Sequence, residues 1–298
     1  MTSTINHISI CICTYKRPTR LAKLMTELQS QIVDGLFTYS IVVVDNDDTG
    51  SAEKTVEEIK KNSSIPVSYY IEPEQNIALA RNKAVANAKG DFIAFIDDDE
   101  LPCQNWLMNL YNAYNEFHAD GILGPVLPYY EVDPPKWIVR GKFYDRPSHR
   151  TGEVLPWIHT RSGNVLLRHD IFRDNQNMFR AEFGRGGEDK DFFRRMIVKG
   201  CHFIWCAEAP VYEMVPPERF KRSFMLKRAL LRGKQPYFKL GDIAKSLIAI
   251  PLYSSALPIL FLLGHHRFMK YLIKNFDHIG RILAFCGIDV VKQKYILE

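Results

Sequence analysis

Residues 76–100 read NIALARNKAVANAKGDFIAFIDDDE, and this stretch sets the class of fold. Residues 77–88 have helical composition and stop at Gly90, as helices often do. The apolar run 92–96 follows and passes straight into Asp97, Asp98, Asp99 and Glu100. A helix feeding a buried strand with a polar end is one half of a βαβ unit, the repeating element of a mostly parallel sheet covered on both faces. Toward the N-terminus the same alternation continues. Apolar strands are expected at 67–71, at 41–44 ending on Asp45, and at 8–13. Between them lie a polar helix at 52–61 and an amphipathic one that lines up Leu21, Leu24, Met25, Leu28 and Ile32. Toward the C-terminus the pattern predicts a helix at 106–117, strands at 121–127, 164–168 and 202–206, and a helix at 188–199. Residues 128–157, rich in Pro, Trp, Tyr and Arg, have no clean period and read as a functional loop or lid. The early strands end in polar residues, and open α/β sheets bind ligands beyond those ends.

The chain has 298 residues, 46% hydrophobic and 24% charged, which excludes disorder, collagen and coiled coil as whole-chain descriptions. Its net charge of +5 hides an asymmetry. Residues 1–215 hold 24 basic and 29 acidic side chains, whereas residues 216–298 hold 15 and 5. We therefore expect a catalytic domain over 1–215 and a basic, apolar, helical extension over 216–298. The six cysteines show no C-x-x-C or zinc spacing and indicate a reducing cytosol; Cys11 and Cys13 read as small buried strand residues. No basic segment followed by a long apolar run opens the chain, so no signal peptide is expected.

Two groups of residues can carry chemistry. Four consecutive acids at 97–100 repel one another, and hard oxygen ligands suit Mg²⁺ or Mn²⁺. If the run is extended, Asp97 and Asp99 point the same way and can share the metal, with Asp98 facing elsewhere; an acidic surface turn is the plain alternative. The second group is Gly184-Arg185-Gly186-Gly187-Glu188-Asp189-Lys190-Asp191. Its glycines permit close approach of backbone to ligand. Its carboxylates open a helix, where they serve either as a cap or as a catalytic base. Asp45 is similarly a turn former or a ligand contact. No G-x-G-x-x-G follows a strand and no G-K-[ST] occurs in a Gly-rich loop, which argues against a dehydrogenase or a P-loop NTPase. His159, His202, His265 and His266 lack metal spacing. The basic C-terminal stretch, even with Tyr237 and Phe238, carries no nucleic-acid-binding signature.

In order, these pieces resemble the family-2 glycosyltransferases, whose nucleotide-sugar domain has the GT-A architecture. ISICICTYKRP resembles the first strand and nucleotide-binding turn of that family, and IVVVDN the strand whose aspartate contacts the base. NIALARNKAVANAKGDFIAFIDDDE carries the R-N pair, the G-D and the D-x-D; GNVLLR and GGEDKDFFRRM resemble the acceptor-side strand and the E-D motif. The resemblance covers about residues 6–215. It implies that Thr14 and Tyr15 line the nucleotide pocket, with Asp45 at the base and Arg81 near the donor. Asp97 would approach ribose and metal, Asp99 would ligate the metal, and Asp189 would deprotonate the acceptor. Relatives place a metal-binding His near the position of Glu213, which makes Glu213 the candidate third ligand. Many relatives also have Gly where Ile77 follows Asn76. The Q-x-x-R-W pattern of processive synthases is missing, so one sugar per encounter is expected, and the chain looks most like bacterial exopolysaccharide enzymes of the succinoglycan type.

The expected function is that of an inverting, metal-dependent hexosyltransferase. It would move a sugar from a nucleotide-sugar, a UDP-sugar being the expected donor, to a glycan or lipid-linked hydroxyl in surface polysaccharide synthesis. The alternatives are a nucleotidyltransferase on a related sheet, or a catalytically silent sugar- or membrane-binding module. Residues 246–264 are uncharged but contain Pro251 and Pro258, so a straight membrane span is doubtful. They lie beyond eight Lys or Arg within 218–239, opposed there by Glu218 alone. A cytoplasmic enzyme held peripherally on the inner face of the membrane is the expectation, against a buried helical hairpin of a soluble domain.

Overall fold

The structure, a computed structural model, describes residues 5–174, 178–184, 186–233, 240–288 and 291. Arg185, Lys234, Tyr237, Phe238 and Lys239 lie outside them. The described residues form two compact units, one from Met1–Leu127 with Arg146–Glu213, the other from Pro128–Asp145 with Met214–Ile296. The second unit takes in 128–145, from within the segment read as a loop or lid, as well as residues after Glu213. That segment contributes a short helix, Lys136–Gly141.

In the first unit the strands are β1 (Asn6–Thr14), β2 (Phe37–Asp45), β3 (Val67–Ile71), β4 (Phe92–Phe95), β5 (Glu100–Pro102), β6 (Gly121–Leu123), β7 (Val126–Tyr129, which leads out of the unit), β8 (Val165–Arg168), β9 (Phe203–Trp205) and β10 (Val211–Met214). The helices are α1 (Pro18–Leu28), α2 (Glu53–Asn62), α3 (Ile77–Asn87), α4 (Trp106–Phe117) and, after α5 (Lys136–Gly141) of the second unit, α6 (Glu188–Val198). Seven strands make one sheet in the order β3-β2-β1-β4-β8-β6-β9. Its pairings are parallel except where β8 runs against β4 and β6. The expected mostly parallel α/β sheet is present. β1, β2 and β4 read as nearly unbroken apolar runs because both faces are covered: Ile8, Ile10, Ile12, Ile41 and Val43 pack on one side with α1 and α4, and Cys11, Val42, Val44, Ile93 and Phe95 on the other with α3 and α6.

The strand expected over 121–127 divides at Gly124-Pro125 into β6 and β7, which enter different sheets. The second sheet has the order β5-β10-β7. Neither β5 nor β10 was expected from the sequence, being three and four residues long. Both matter, because their antiparallel register sets Glu213 opposite Glu100.

The second unit contains α7 (Arg222–Arg232), α8 (Leu240–Leu262) and α9 (His265–Phe285), with an apolar centre at Ile138, Tyr144, Val215 and Met225. α7 and α9 cross with their backbones touching. A Cβ on Gly280 would lie 2.4 Å from the Leu230 carbonyl oxygen, and one on Gly233 2.4 Å from the Arg281 nitrogen. Backbone cannot swing aside as a side-chain tip can. Gly280→Val is therefore expected to lower thermal stability by the cost of overpacking, about 1–3 kcal/mol, and to raise protease sensitivity in α7–α9. A variant that melts and resists protease like the wild type would rule out the close crossing.

Candidate active site

The carboxyl ends of β1, β2 and β4 meet α3, α6 and the 160–164 loop. At the end of β2, Asp45 is fully buried. Its Oδ2 accepts hydrogen bonds from the Ala52 backbone N–H (2.7 Å) and the Tyr69 hydroxyl (2.9 Å). Its Oδ1 is buried without a hydrogen-bond partner among the described residues. Burial raises its pKa above the ordinary carboxylate value, against those two donors. An unsatisfied buried acceptor held this firmly is suited to an N–H of a ligand.

The acidic run does not continue β4 as extended chain. The Glu100 N–H bonds the Asp97 carbonyl (3.1 Å), closing a turn. This overturns the expected alternation: Asp98 does not face away from Asp99. Both carboxylates meet arginines from the start of α1. Asp98 accepts from the Thr14 hydroxyl (2.8 Å) and from Arg17 (3.0 Å), while Asp99 pairs with Arg17 at 3.5 Å and Arg20 at 3.6 Å. Burial pushes Asp98 up to about 6, opposed chiefly by Arg17. Thr14 is thus used inward, to orient Asp98, and Tyr15 beside it is half-buried with the Lys16 ammonium over its ring.

Asp97 alone of the run keeps a reachable side chain, 48% exposed. Its neighbours are Arg81 at 3.4 Å and, through its backbone N–H, Glu100 Oε2 at 3.0 Å. Desolvation raises its pKa, with Arg81 opposing and Asp99 adding to the rise. Glu100, 1% exposed, is raised further, by burial first and then by Asp97. Glu213, set opposite Glu100 by the β5–β10 register, is ion-paired with Arg146. Like charges facing across two strands are unfavourable, and Arg146 offsets the pair. The structure thus brings Asp97, Asp99, Glu100 and Glu213 into one neighbourhood with Arg17, Arg20 and Arg146 around them. Among the described residues no three acidic, His or Cys side chains stand in ready metal-ligand geometry.

α3 links this turn to the second group. Asn76 caps it, its side-chain oxygen accepting from the Ala78 and Leu79 N–H groups. Arg81, buried within that helix, pairs with both Asp97 and Glu188. Desolvation would strip its proton, but Glu188 and Asp97 outweigh that and hold it charged. In α6, Glu188 is committed to Arg81, and Asp191 to Arg195 (2.7 Å) and Arg180 (3.7 Å). Asp189, between them, makes no ion pair among the described residues; its Oδ1 accepts from the Lys190 N–H at 2.7 Å. Of the three carboxylates at this helix start, it is the one left for a substrate.

The floor between the groups is Ser162-Gly163-Asn164. Asn164 is fully buried in the left-handed conformation (φ 58°) that Asn tolerates. Its side-chain amide donates to the Pro125 and Ala209 carbonyls and accepts from the Trp106 indole at 2.7 Å. Gly163 then lies so close that a Cβ there would sit 2.8 Å from Asp97 Oδ2 and 2.9 Å from Glu100 Oε1. The parts played by Arg17, Arg20, Glu100 and Arg146 were missed in the sequence. The available signal was the pair of arginines at i and i+3 just after β1.

Residues 9–175 match the family description "Glycosyl transferase family 2". The chain belongs to this family. This glycosyltransferase is 35% identical over 233 residues to the succinoglycan biosynthesis protein ExoM of Rhizobium meliloti, covering 76% of this chain and 73% of that protein. It is 19% identical to the poly(ribitol-phosphate) beta-N-acetylglucosaminyltransferase TarP of Staphylococcus aureus, covering 83% and 74%. Among solved structures, S. aureus TarS 1-349 in complex with UDP-GlcNAc aligns with a TM-score of 0.54 at 16% identity over 95% of this chain and 93% of that one. GalNAc-T7 with UDP, GalNAc and Mn²⁺ aligns at 0.54 and 14% identity over 82% and 54%. At these identities the structural likeness shows the GT-A fold of the glycosyltransferase. Membership of the family sets aside the nucleotidyltransferase and the silent module.

Proposed function

We propose that this glycosyltransferase transfers one sugar from a UDP-sugar to a hydroxyl of a glycan or lipid-linked glycan, with inversion at the anomeric carbon, in the synthesis of a bacterial surface polysaccharide. The observation that carries the reading is the division of labour among the α6 carboxylates, which leaves Asp189 uncommitted beside the Asp97–Glu100 turn. Asp45 Oδ1 receives an N–H of the base, Tyr15 flanks the nucleotide, and Arg81 holds Asp97 toward the ribose. Asp189 takes the acceptor proton as attack proceeds. No covalent intermediate is involved, so a single displacement inverts the centre.

Asp97 and Asp99 offer the hard oxygens a divalent cation takes, with Glu213 as a third; these side chains face Arg81, Arg17, Arg20 and Arg146 and would turn from them to converge on the ion. Such an ion, Mn²⁺ or Mg²⁺, supplies Lewis-acid stabilisation of a leaving diphosphate. A panel of nucleotide sugars, with and without Mn²⁺, scored for binding and slow hydrolysis, tests the donor assignment. Metal-enhanced binding of a UDP-sugar is expected; failure of every nucleotide sugar to bind would overturn it.

We also assign the second unit to peripheral attachment on the cytoplasmic face of the membrane. α8 runs unbroken through Pro251 and Pro258, is long and apolar enough to cross a bilayer, and is barely buried. Leu247, Ile248, Leu252, Ile259, Phe261 and Leu262 are each at least 60% exposed. It forms a hairpin with α9, but not the buried one of the alternative. Exposed cations are carried by α7 (Arg222, Lys227, Arg228) and α9 (Arg267, Lys270, Lys274). Apolar area and basic charge together give the two signals that stable peripheral binding requires. Arg232 makes a two-pronged pair with Asp277 (2.9 and 3.2 Å). At low salt the protein should float with anionic liposomes and stay behind with neutral ones. Full-length protein that remains soluble with anionic vesicles would eliminate the assignment.

A further inference from the structure

Arg161 has no role in the reading above. It lies two residues before Gly163, on a loop fixed from several sides. Lys190 Nζ donates to the carbonyls of Ile158 (2.7 Å) and Thr160 (2.5 Å), the Thr160 hydroxyl donates to the Trp157 carbonyl (2.7 Å), and the His159 ring packs on His149 with centroids 4.7 Å apart. Every other arginine that faces the acidic centre has a carboxylate partner: Arg17 and Arg20 take Asp98 and Asp99, Arg81 takes Asp97 and Glu188, and Arg146 takes Glu213. Arg161, half-buried, makes no ion pair among the described residues. Burial and the like charge of Arg146 pull its pKa down to about 10, while Glu100, Asp189 and Glu213 pull the other way.

The Lys190 bonds to the Ile158 and Thr160 carbonyls hold Arg161 beside the start of α6, next to Asp189, the carboxylate assigned to the acceptor proton. Arg146 and Arg161 share Glu100 and Glu213 as electrostatic neighbours, and Asp189 adds to those of Arg161. Lys190, adjacent to Asp189, is itself lowered by burial and then by Arg161 and Arg146. A desolvated guanidinium on a rigid loop, crowded by like charges, is relieved by an oxyanion, and its planar fork suits two oxygens of one group.

We propose that Arg161 is a specificity residue of the acceptor side, engaging an oxyanion, phosphate or carboxylate, carried by the acceptor near the attacking hydroxyl. The proposal rests on the donor and base assignments above. With UDP and Mn²⁺ present, the test measures binding of glucose 1-phosphate, methyl glucuronoside and neutral methyl glucoside to full-length wild type, Arg161→Gln and Arg161→Lys. The wild type should prefer at least one anionic probe to the neutral glycoside, and which one identifies the oxyanion. Arg161→Gln should lose that preference by roughly 10- to 100-fold. Arg161→Lys should restore part of it, and the affinity for UDP alone should change less than about threefold between variants. A wild type with no preference, or a preference that survives in Arg161→Gln, overturns the proposal. A loss of UDP affinity equal to the loss of sugar affinity also overturns it, by moving Arg161 to the donor diphosphate. If the wild type fails to bind UDP at all, the donor reading fails and takes this one with it; UDP binding without anion preference sinks the acceptor assignment alone.

Discussion

Asp189→Asn is expected to bind its donor normally and to lose transfer by roughly 100- to 10,000-fold, the contribution usual for a general base. The amide matches the carboxylate in shape and can still accept from the Lys190 N–H, so the helix start need not change. It cannot take the acceptor proton. The neighbouring carboxylates provide the control. Asp191 is buried between Arg195 and Arg180, and Asp191→Asn should lower thermal stability, since uncovering a buried charge costs on the order of a few kcal/mol. The measurements are donor Kd, kcat for transfer and Tm for each variant. Transfer by Asp189→Asn above about a tenth of wild type would move the base elsewhere.

For Asp99→Ala the expected loss is in metal-dependent donor binding, about 100-fold or more, corresponding to several kcal/mol of metal-assisted stabilisation. Affinity in Mn²⁺ should fall to the value measured with chelator. The fold should persist, because Asp99 sits on a turn and not in the apolar core, and because Arg17 keeps Asp98 as a partner at 3.0 Å. Arg20 loses the Asp99 carboxylate, so Asp99→Asn, which keeps the shape, serves as the companion variant. Both should show the same loss of metal dependence. Normal Mn²⁺-dependent turnover in either would remove Asp99 from the metal site.

The sheet was legible because its central strands are buried on both faces, and a strand with no solvent side must be written almost wholly in apolar residues. The ends of those strands were legible for the same reason: Asp45 and Asp97 stand where the apolar run stops. What failed was the step from spacing to direction. Alternation along an extended chain predicted that Asp98 would point away, but the hydrogen bond from Glu100 to Asp97 bends the run, and the arginines of α1 gather Asp98 and Asp99 together. Glu100 stood in the quoted stretch and received no role, since only the β5–β10 register shows that it faces Glu213. Arg146 comes from the 128–157 segment without hydrophobic periodicity and Arg161 from the short link before the strand at 164–168, and neither stretch gives a sign of where its side chains are carried. Gly124-Pro125 could have divided the strand over 121–127, because proline cannot donate to a central ladder.

The hairpin of α8 and α9 is joined by polar contacts as well as apolar ones. The Ser246 hydroxyl meets His278 Nδ1 at 3.0 Å and Arg281 at 3.2 Å, and Asn275 donates to the Ser254 hydroxyl at 2.9 Å. Leucine packed on leucine can slide with little penalty, because one methyl group replaces another. A hydroxyl matched to an imidazole cannot. Sliding α8 by one turn, roughly 5.4 Å, would carry both serines past their partners and leave the Asn275 amide, 4% exposed, without its acceptor. These few bonds act as a ratchet pawl: they fix the rotation of α8 about its own axis, and with it the direction in which Leu247, Ile248, Leu252 and Ile259 present their side chains.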